Sequence, residues 1–306
     1  MSDVYPALVV TPPPRLRVGV IGSGRVGAVL GAALRRTGHP VVACSARTDL
    51  SRVRAEALLP GVPIASPAEV AEGCDLLLLA VPDDRLDQVV ADLAGHVHAG
   101  QIVLHVSGRH GLEALAPLAG VLPIAAHPVM TFTGTSLDLD RLEDCPFGIT
   151  APEPVRPIAE ALVVEMGGEP IWVDDGARTL YHAALAHGAN HLVTLVAQTL
   201  DMLATAGVQD PARLARPLLA AALDNALREG DAALTGPIAR GDMATVRAHL
   251  AELEGADEVT LAAYLALARA TVVRAVAQGS LDRTRGEELA ELLDAAESPW
   301  EYGGLP

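Results

Sequence analysis

RLRVGVIGSGRVGAVLGAALRRTGHPVVACSAR, from Arg15 to Arg47, decides the fold. An apolar run, Leu16 to Ile21, meets Gly22, Ser23, Gly24, Arg25, Val26 and Gly27. A helical pattern follows from Ala28 to Thr37. A second apolar run, Val41 to Cys44, then ends in Ser45, Ala46 and Arg47. Strand, glycine-rich turn, helix and strand in this order form a dinucleotide-binding unit. Gly22 permits the tight turn, Gly24 lets the backbone approach a pyrophosphate, and Gly27 lets helix and strand pack closely. The helix N-terminus turns unpaired N–H groups and the positive end of its dipole toward phosphates.

The end of the second strand selects the nucleotide. NAD sites place a carboxylate there to accept from the ribose 2′-hydroxyl. This chain has Ser45, Arg47 and Thr48 instead. A carboxylate would repel a 2′-phosphate, whereas a guanidinium holds it through paired charge-assisted bonds. The reading is NADP(H) over NAD. The alternative is a merely solvated Arg47 and loose selectivity.

Working outward, the 306 residues suffice for two domains. Half of them are apolar, yet no run looks long enough to span a membrane. No signal-peptide pattern opens the chain, so the expectation is a cytoplasmic protein. Met1 to Pro14 reads as a loose tail. Cys44, Cys74 and Cys145 are odd in number and lack metal-type spacing, which indicates neither a disulfide framework nor a metal site. The formal charge of −16 argues against nucleic acid or an anionic membrane as partner. The chain contains no lysine. Schiff-base chemistry and a lysine proton donor are thereby excluded.

Helical patterns cover Leu50–Leu59, Pro67–Glu72, Arg85–Leu93 and Pro154–Met166, and strands are expected at 63–65, 75–81, 101–106, 121–126, 147–151 and 171–173. The run DLLLLAV (Asp75 to Val81) is apolar throughout, as in a strand buried on both faces of a parallel sheet. This alternation predicts an α/β fold, a Rossmann-type doubly wound sheet over residues 15–174. Residues 175–306 carry helical patterns only, so an all-α domain for substrate binding and dimerisation is expected to follow. Ala177 to Ala206 is one long, weakly charged helix, which implies burial under the first domain or against a second subunit. Asp210–Pro211, Asp242 and Asp257 are helix starts. Trp300 and Tyr302 sit in a terminal segment able to pack on a neighbouring surface.

Ligands of open α/β sheets lie beyond the carboxyl ends of the strands. That rule selects the glycine turn, Ser45 to Thr48, Val81 to Asp83, His105 to Gly108, and His127 to Phe132. Val81 and Pro82 would line the nicotinamide site, together with Ser107. His127, placed just after its strand, is the candidate proton-transfer group; the alternative is a satisfied histidine at the sheet end. His105 shares the face of Ser107 and is either a substrate contact or a hydrogen-bonded core residue. On the long helix His187, Asn190, His191 and Thr194 fall near one face. They line a cleft or pair with the other domain. His187 and His191 have metal-ligand spacing, but no acidic third ligand is evident. In LTGPIARGD (Leu234 to Asp242), Thr235 and Arg240 are substrate candidates: Arg240 either clamps a carboxylate or pairs with an acid. Asp242 reads as a helix cap.

Taken together, GSGRVG (Gly22–Gly27), AVPDD (Ala80–Asp84), HVSG (His105–Gly108), HPVMTF (His127–Phe132), HGAN (His187–Asn190) and LTGPIARGD resemble the 6-phosphogluconate dehydrogenase C-terminal-like superfamily. More closely, the chain resembles bacterial Rossmann-like proteins whose C-terminal half is a domain of unknown function. The resemblance implies an NADP-binding domain and a helical domain that often dimerises. Relatives in the superfamily include ketopantoate reductase, pyrroline-carboxylate reductase, prephenate dehydrogenase and deazaflavin-dependent NADP reductase. Hydroxyacid dehydrogenases and ordinary ketopantoate reductases carry a lysine four residues before an asparagine on the long helix, where Ala186 precedes Asn190 here. His127–Pro128 resembles the His-Pro of prephenate dehydrogenases, and Ser107 a substrate-holding serine. The resemblance therefore implies His127 as the proton-transfer group, Ser107 and Asn190 as substrate-orienting groups, and His187 as a substitute for the missing lysine.

The resulting expectation is an NADP-dependent oxidoreductase that moves hydride to C=O or C=N of a small carboxylate, a 2-oxo acid such as ketopantoate being the leading candidate. A prephenate-like dehydrogenase, an imine reductase, hydride transfer to a second cofactor, and a non-catalytic NADP-binding sensor or scaffold are the alternatives. A homodimer through the helical domain is expected.

Overall fold

The computed structural model describes residues 15–255 and 257–296. The tail Met1–Pro14 and the segment holding Trp300 and Tyr302 lie outside the described residues. The chain divides into two compact units, residues 1–189 and 190–306.

In the first unit β1 (Val18–Ile21), β2 (Val41–Ser45), β3 (Leu76–Leu79), β4 (Ile102–His105), β5 (Leu122–Pro128), β6 (Pro146–Thr150) and β7 (Glu169–Trp172) form one sheet in the order β2-β1-β3-β4-β5-β6-β7. Neighbours pair in parallel except β5 and β6, which are antiparallel. Its helices are α1 (Arg25–Arg36), α2 (Asp49–Leu58), α3 (Pro67–Glu72), α4 (Leu86–Leu93), α5 (Leu137–Arg141) and α6 (Arg156–Glu165). Strand β3 shows why the apolar runs are continuous. Leu76 and Leu78 join the core on one face, with Val29, Leu30 and Leu162. Leu77 and Leu79 join the core on the other, with Val70, Leu86 and Val90. A strand covered on both faces has no position left for a polar side chain. The strand order reverses at β1, so the carboxyl ends of β1 and β3 open on a crevice.

Two local expectations change. The strand expected at 63–65 is a single bridge between Cys44 and Ile64. Strand β5 runs on through His127 and Pro128, because β6 returns antiparallel and pairs Gly148 with His127 and Phe147 with Pro128. His127 is therefore a strand residue, not the first residue after one.

The helix α7 (Arg178–Thr205) begins in the first unit and reaches the second. The second unit adds α8 (Pro211–Glu229), α9 (Met243–Leu253), α10 (Glu258–Gln278) and α11 (Arg283–Ala295). The expected caps are present: Asp210, Asp242 and Asp257 accept from the N–H groups of Arg213, Thr245 and Thr260. Helix α11, absent from the sequence reading, is capped in the same way by Asp282. The core of this unit joins Val246 and Leu250 of α9, Leu265 and Val272 of α10, and Leu289 and Leu293 of α11. One expectation fails on α10, whose 21 residues are long and apolar enough to cross a membrane. Leu265, Ala268, Val272 and Ala275 of this helix are buried in the core, whereas Leu267 and Val273 are exposed. Of α7, only Arg178 is buried within the chain.

Candidate active site

The glycine turn is built by contact. Gly22 adopts φ +94°, and a Cβ there would overlap the Ala80 carbonyl. A Cβ on Gly27 would overlap the Gly22 carbonyl, so α1 can lie this close to β1 only with glycine. Gly24 differs: a Cβ there would meet no atom within 4 Å. Among the described residues nothing crowds that position, which leaves room for a ligand to back onto the turn. Helix α1 also has no side-chain cap, like α4, α5 and α6 and unlike α2 and α3, which Thr48 and Ser66 cap. The turn that leads into α1 lines a cavity of about 440 Å³, with Gly22, Ser23 and Gly24 on one side and Ser45, Arg47, Thr48, Val81, Pro82, Arg85 and Asp92 around it. Glycine turn, uncapped helix and cavity together fit a dinucleotide pyrophosphate.

The structure redistributes the expected cofactor contacts. The Ser45 hydroxyl accepts from the Gly22 N–H at 3.1 Å, and the Ser45 carbonyl from the Ser23 N–H at 2.9 Å. Ser45 thus shapes the turn. The Ser23 side chain is fully buried, its hydroxyl beside the Cys44 thiol. Thr48 is committed to a capping box with Ser51. Arg47 remains exposed at the cavity wall as the available cation. Arg85 lines the same cavity and went unnoticed in the sequence, because a charge in the first turn after a strand reads as a solvated face. Arg25 is exposed at the start of α1, and Val26 packs on the core.

A second group of side chains meets at the ends of β4, β5 and β6. His127 Nδ1 lies 2.9 Å from the Tyr181 hydroxyl. The His182 ring stands edge-on to His127, with centroids 5.9 Å apart. A Cβ on Gly148 would overlap the Tyr181 hydroxyl, so glycine on β6 is what lets Tyr181 reach His127. Burial, then the neighbouring His182 and Arg178, push His127 down to about 4. Burial pushes the Tyr181 phenol up. Both groups are therefore neutral near pH 7. His127 presents one N–H or one lone pair, rather than the cationic acid that a proton-donating role suggests.

Arg178, the first residue of α7, is 1% exposed. Its Nη1 donates to the Gly148 carbonyl (3.3 Å) and the Thr150 hydroxyl (3.0 Å), and its Nη2 to the Ser107 carbonyl (2.8 Å). Neither Arg178 nor Tyr181 was singled out in the sequence. The signal available was their i, i+3 spacing at the head of a helix that also carries His182.

The Ser107 hydroxyl folds back on its own turn, accepting from the His110 N–H at 3.2 Å and lying 3.3 Å from His110 Nδ1. His105 is fully buried, with Nε2 at 3.1 Å from the Gly111 carbonyl, which is the hydrogen-bonded core role. Burial pushes it down to about 4. His187 is exposed on α7. Asn190, Thr235 and Arg240 belong to the second unit, where all three are exposed.

The fold of the first unit is of the Rossmann type. Residues 7–128 match the Rossmann-like domain, and residues 145–271 match the domain of unknown function DUF2520. The chain joins these two domains, the pairing that its resemblance implied. A glycerol-3-phosphate dehydrogenase [NAD(P)+] of Anaeromyxobacter dehalogenans is 26% identical over 226 residues, 65% of this chain and 68% of that one. An L-threonate dehydrogenase of Cupriavidus necator is 28% identical over 202 residues, 60% and 59% of the two chains. Among solved structures, a candidate NADP oxidoreductase of Bacteroides fragilis shares the fold with a TM-score of 0.70, at 20% identity over 84% of this chain and 98% of that one. An imine reductase of Streptomyces aurantiacus shares it with a TM-score of 0.56, at 19% identity over 91% and 93%.

Proposed function

We propose that this protein is a cytoplasmic NADP-dependent oxidoreductase that reduces C=O or C=N of a small carboxylate, a 2-oxo acid such as ketopantoate being the first substrate to test. One observation carries the reading: the glycine turn ahead of α1 lines a cavity that presents Arg47, with no acidic residue among Ser45–Thr48 at the end of β2. The names of the relatives support the coarser statement, a Rossmann-type NAD(P)-dependent dehydrogenase or reductase. Gly22 to Gly27 would hold the pyrophosphate, and Arg47 the 2′-phosphate with Arg85 beside it. NADPH, when bound, supplies the hydride.

The Tyr181–His127 pair suits both directions. With the Tyr181 hydroxyl donating to Nδ1, Nε2–H hydrogen-bonds and orients the substrate oxygen or nitrogen; the proton that completes reduction comes from the doubly protonated fraction of the ring, whose Nδ1–H then donates to the Tyr181 oxygen. With Nδ1 donating to the Tyr181 oxygen, Nε2 presents a lone pair that takes a proton from a substrate hydroxyl. Arg240, Thr235 and Asn190 are the proposed substrate-holding groups of the helical domain and His187 the proposed replacement for the lysine, whereas the Ser107 hydroxyl is engaged by His110. A second copy of the chain is the proposed partner of that domain. Leu192, Val193 and Leu195 of α7, Leu214, Leu218 and Leu227 of α8, and Leu267 and Val273 of α10 are all exposed, and a stable dimer would cover them.

The test is an NADPH fluorescence titration, followed by loss of reduced-nicotinamide absorbance with a panel of 2-oxo acids and cyclic imines. Tight binding with turnover of one class supports the reading. Tight binding without turnover of any compound favours a sensor, and no binding refutes the nucleotide assignment.

A further inference from the structure

Among the described residues, the guanidinium of Arg178 hydrogen-bonds two carbonyls and a hydroxyl and no carboxylate, while Asp175, Glu113 and Asp83 favour its charge without a hydrogen bond to it. Its Nε is buried without any partner. Desolvating a cation costs several kcal/mol, and neutral acceptors return less than a carboxylate does. Fastening a helix to a sheet needs no charge, since a neutral amide reaches a carbonyl at lower cost. A cation retained in this position points to a use for its charge.

The contacts indicate where that use lies. Ser107 lies two residues past the end of β4, Gly148 and Thr150 belong to β6, and His127 sits on β5 between those strands. One side chain therefore ties both neighbours of β5 to the first turn of α7. Tyr181, three residues on, lies on His127, and the Arg178 guanidinium carbon is 5.9 Å from the Tyr181 ring. We propose that Arg178 is a positioning residue for His127, acting through the ends of β4 and β6 and through Tyr181. Its charge bears on the same ring. The groups facing His127 are Arg178, Tyr181 and His182 from α7 and Asp83 from the turn after β3, while Gly108 and Gly148 offer no side chain. Asp83 alone favours protonation of His127; Arg178 and His182 oppose it. The consequence for turnover rests on the oxidoreductase reading, whereas the effect on the ring itself does not.

The experiment follows the His127 imidazole by NMR in the full chain with labelled histidine, comparing wild type, Arg178→Gln and Arg178→Lys. Arg178→Gln keeps a donor for the Ser107 carbonyl without the charge, and Arg178→Lys keeps the charge. In the wild type His127 is expected to stay neutral to about pH 4. In Arg178→Gln its midpoint is expected to rise by about one pH unit, and in Arg178→Lys to stay within about half a unit of wild type. A wild-type His127 that titrates at an ordinary histidine value overturns the proposal, and does so even if Arg178→Gln does not fold. A midpoint that is the same in Arg178→Gln and wild type overturns it too. NADPH affinity, measured alongside, is expected to change less than about threefold, because Arg178 lies outside the cavity at the glycine turn. Failure of the wild type to bind NADPH would bear on the proposed function alone, and the titration would still decide Arg178.

Discussion

Replacing His105 with glutamine is expected to make the protein more resistant to acid. His105 is fully buried on β4, and burial pushes it from an ordinary 6.5 down to about 4. An unfolded chain then holds that proton more tightly than the folded one. The stabilisation is complete above about pH 6.5 and is lost as pH falls through that value toward 4. With those two values, linkage removes about 2 kcal/mol between pH 7.5 and pH 5. Glutamine has no proton to gain there, and its amide can still donate to the Gly111 carbonyl that His105 Nε2 approaches at 3.1 Å. Urea unfolding followed by circular dichroism at the two pH values measures the difference. His127 contributes its own loss to both proteins, so the comparison isolates His105. The wild type is expected to lose about 2 kcal/mol more than the variant. Equal losses in the two proteins would refute the assignment of a neutral buried histidine.

Three further outcomes are expected. Arg47→Ala should weaken NADPH binding about 10- to 100-fold, the worth of one charge-assisted contact, and change NADH binding little; fluorescence titrations with both cofactors compare them. Gly24→Val should fold normally and lose at least about tenfold in NADPH affinity, since its side chain enters only the open cavity, whereas Gly27→Ala should cost about 3 kcal/mol or more in stability by overlapping the Gly22 carbonyl. Thermal unfolding beside cofactor titration separates these two cases. Leu218→Glu with Leu227→Glu should convert a dimer to a 31.6 kDa monomer in sedimentation equilibrium, because both leucines are at least 73% exposed within one chain.

What was legible in the sequence is what neighbours along the chain decide. The β1–turn–α1–β2 unit, the all-leucine β3 and the aspartate caps of α8, α9 and α10 depend on residues a few positions apart. What escaped depends on distant partners. His127 looked like a post-strand residue because nothing local announces that β6 will return antiparallel against it. Ser107 looked available to a ligand, yet its hydroxyl is taken by His110 three residues later. Arg178 looked like any helix-start arginine, and its burial comes from Ser107, Gly148 and Thr150, which are 28 to 71 residues away. The three glycines of the turn also proved unequal, a distinction visible only once the space around each was known.

The bare first turn of α1 has a practical consequence for the choice of buffer. Its N–H groups attract any small oxyanion, not only a nucleotide, so sulfate or inorganic phosphate at high concentration should occupy the same place. Affinities measured in phosphate would then report a competition, and added sulfate should raise the melting temperature of the cofactor-free protein by mass action. An ammonium sulfate crystallisation would select the sulfate-occupied turn, whereas a chloride buffer would leave it free for cofactor soaking.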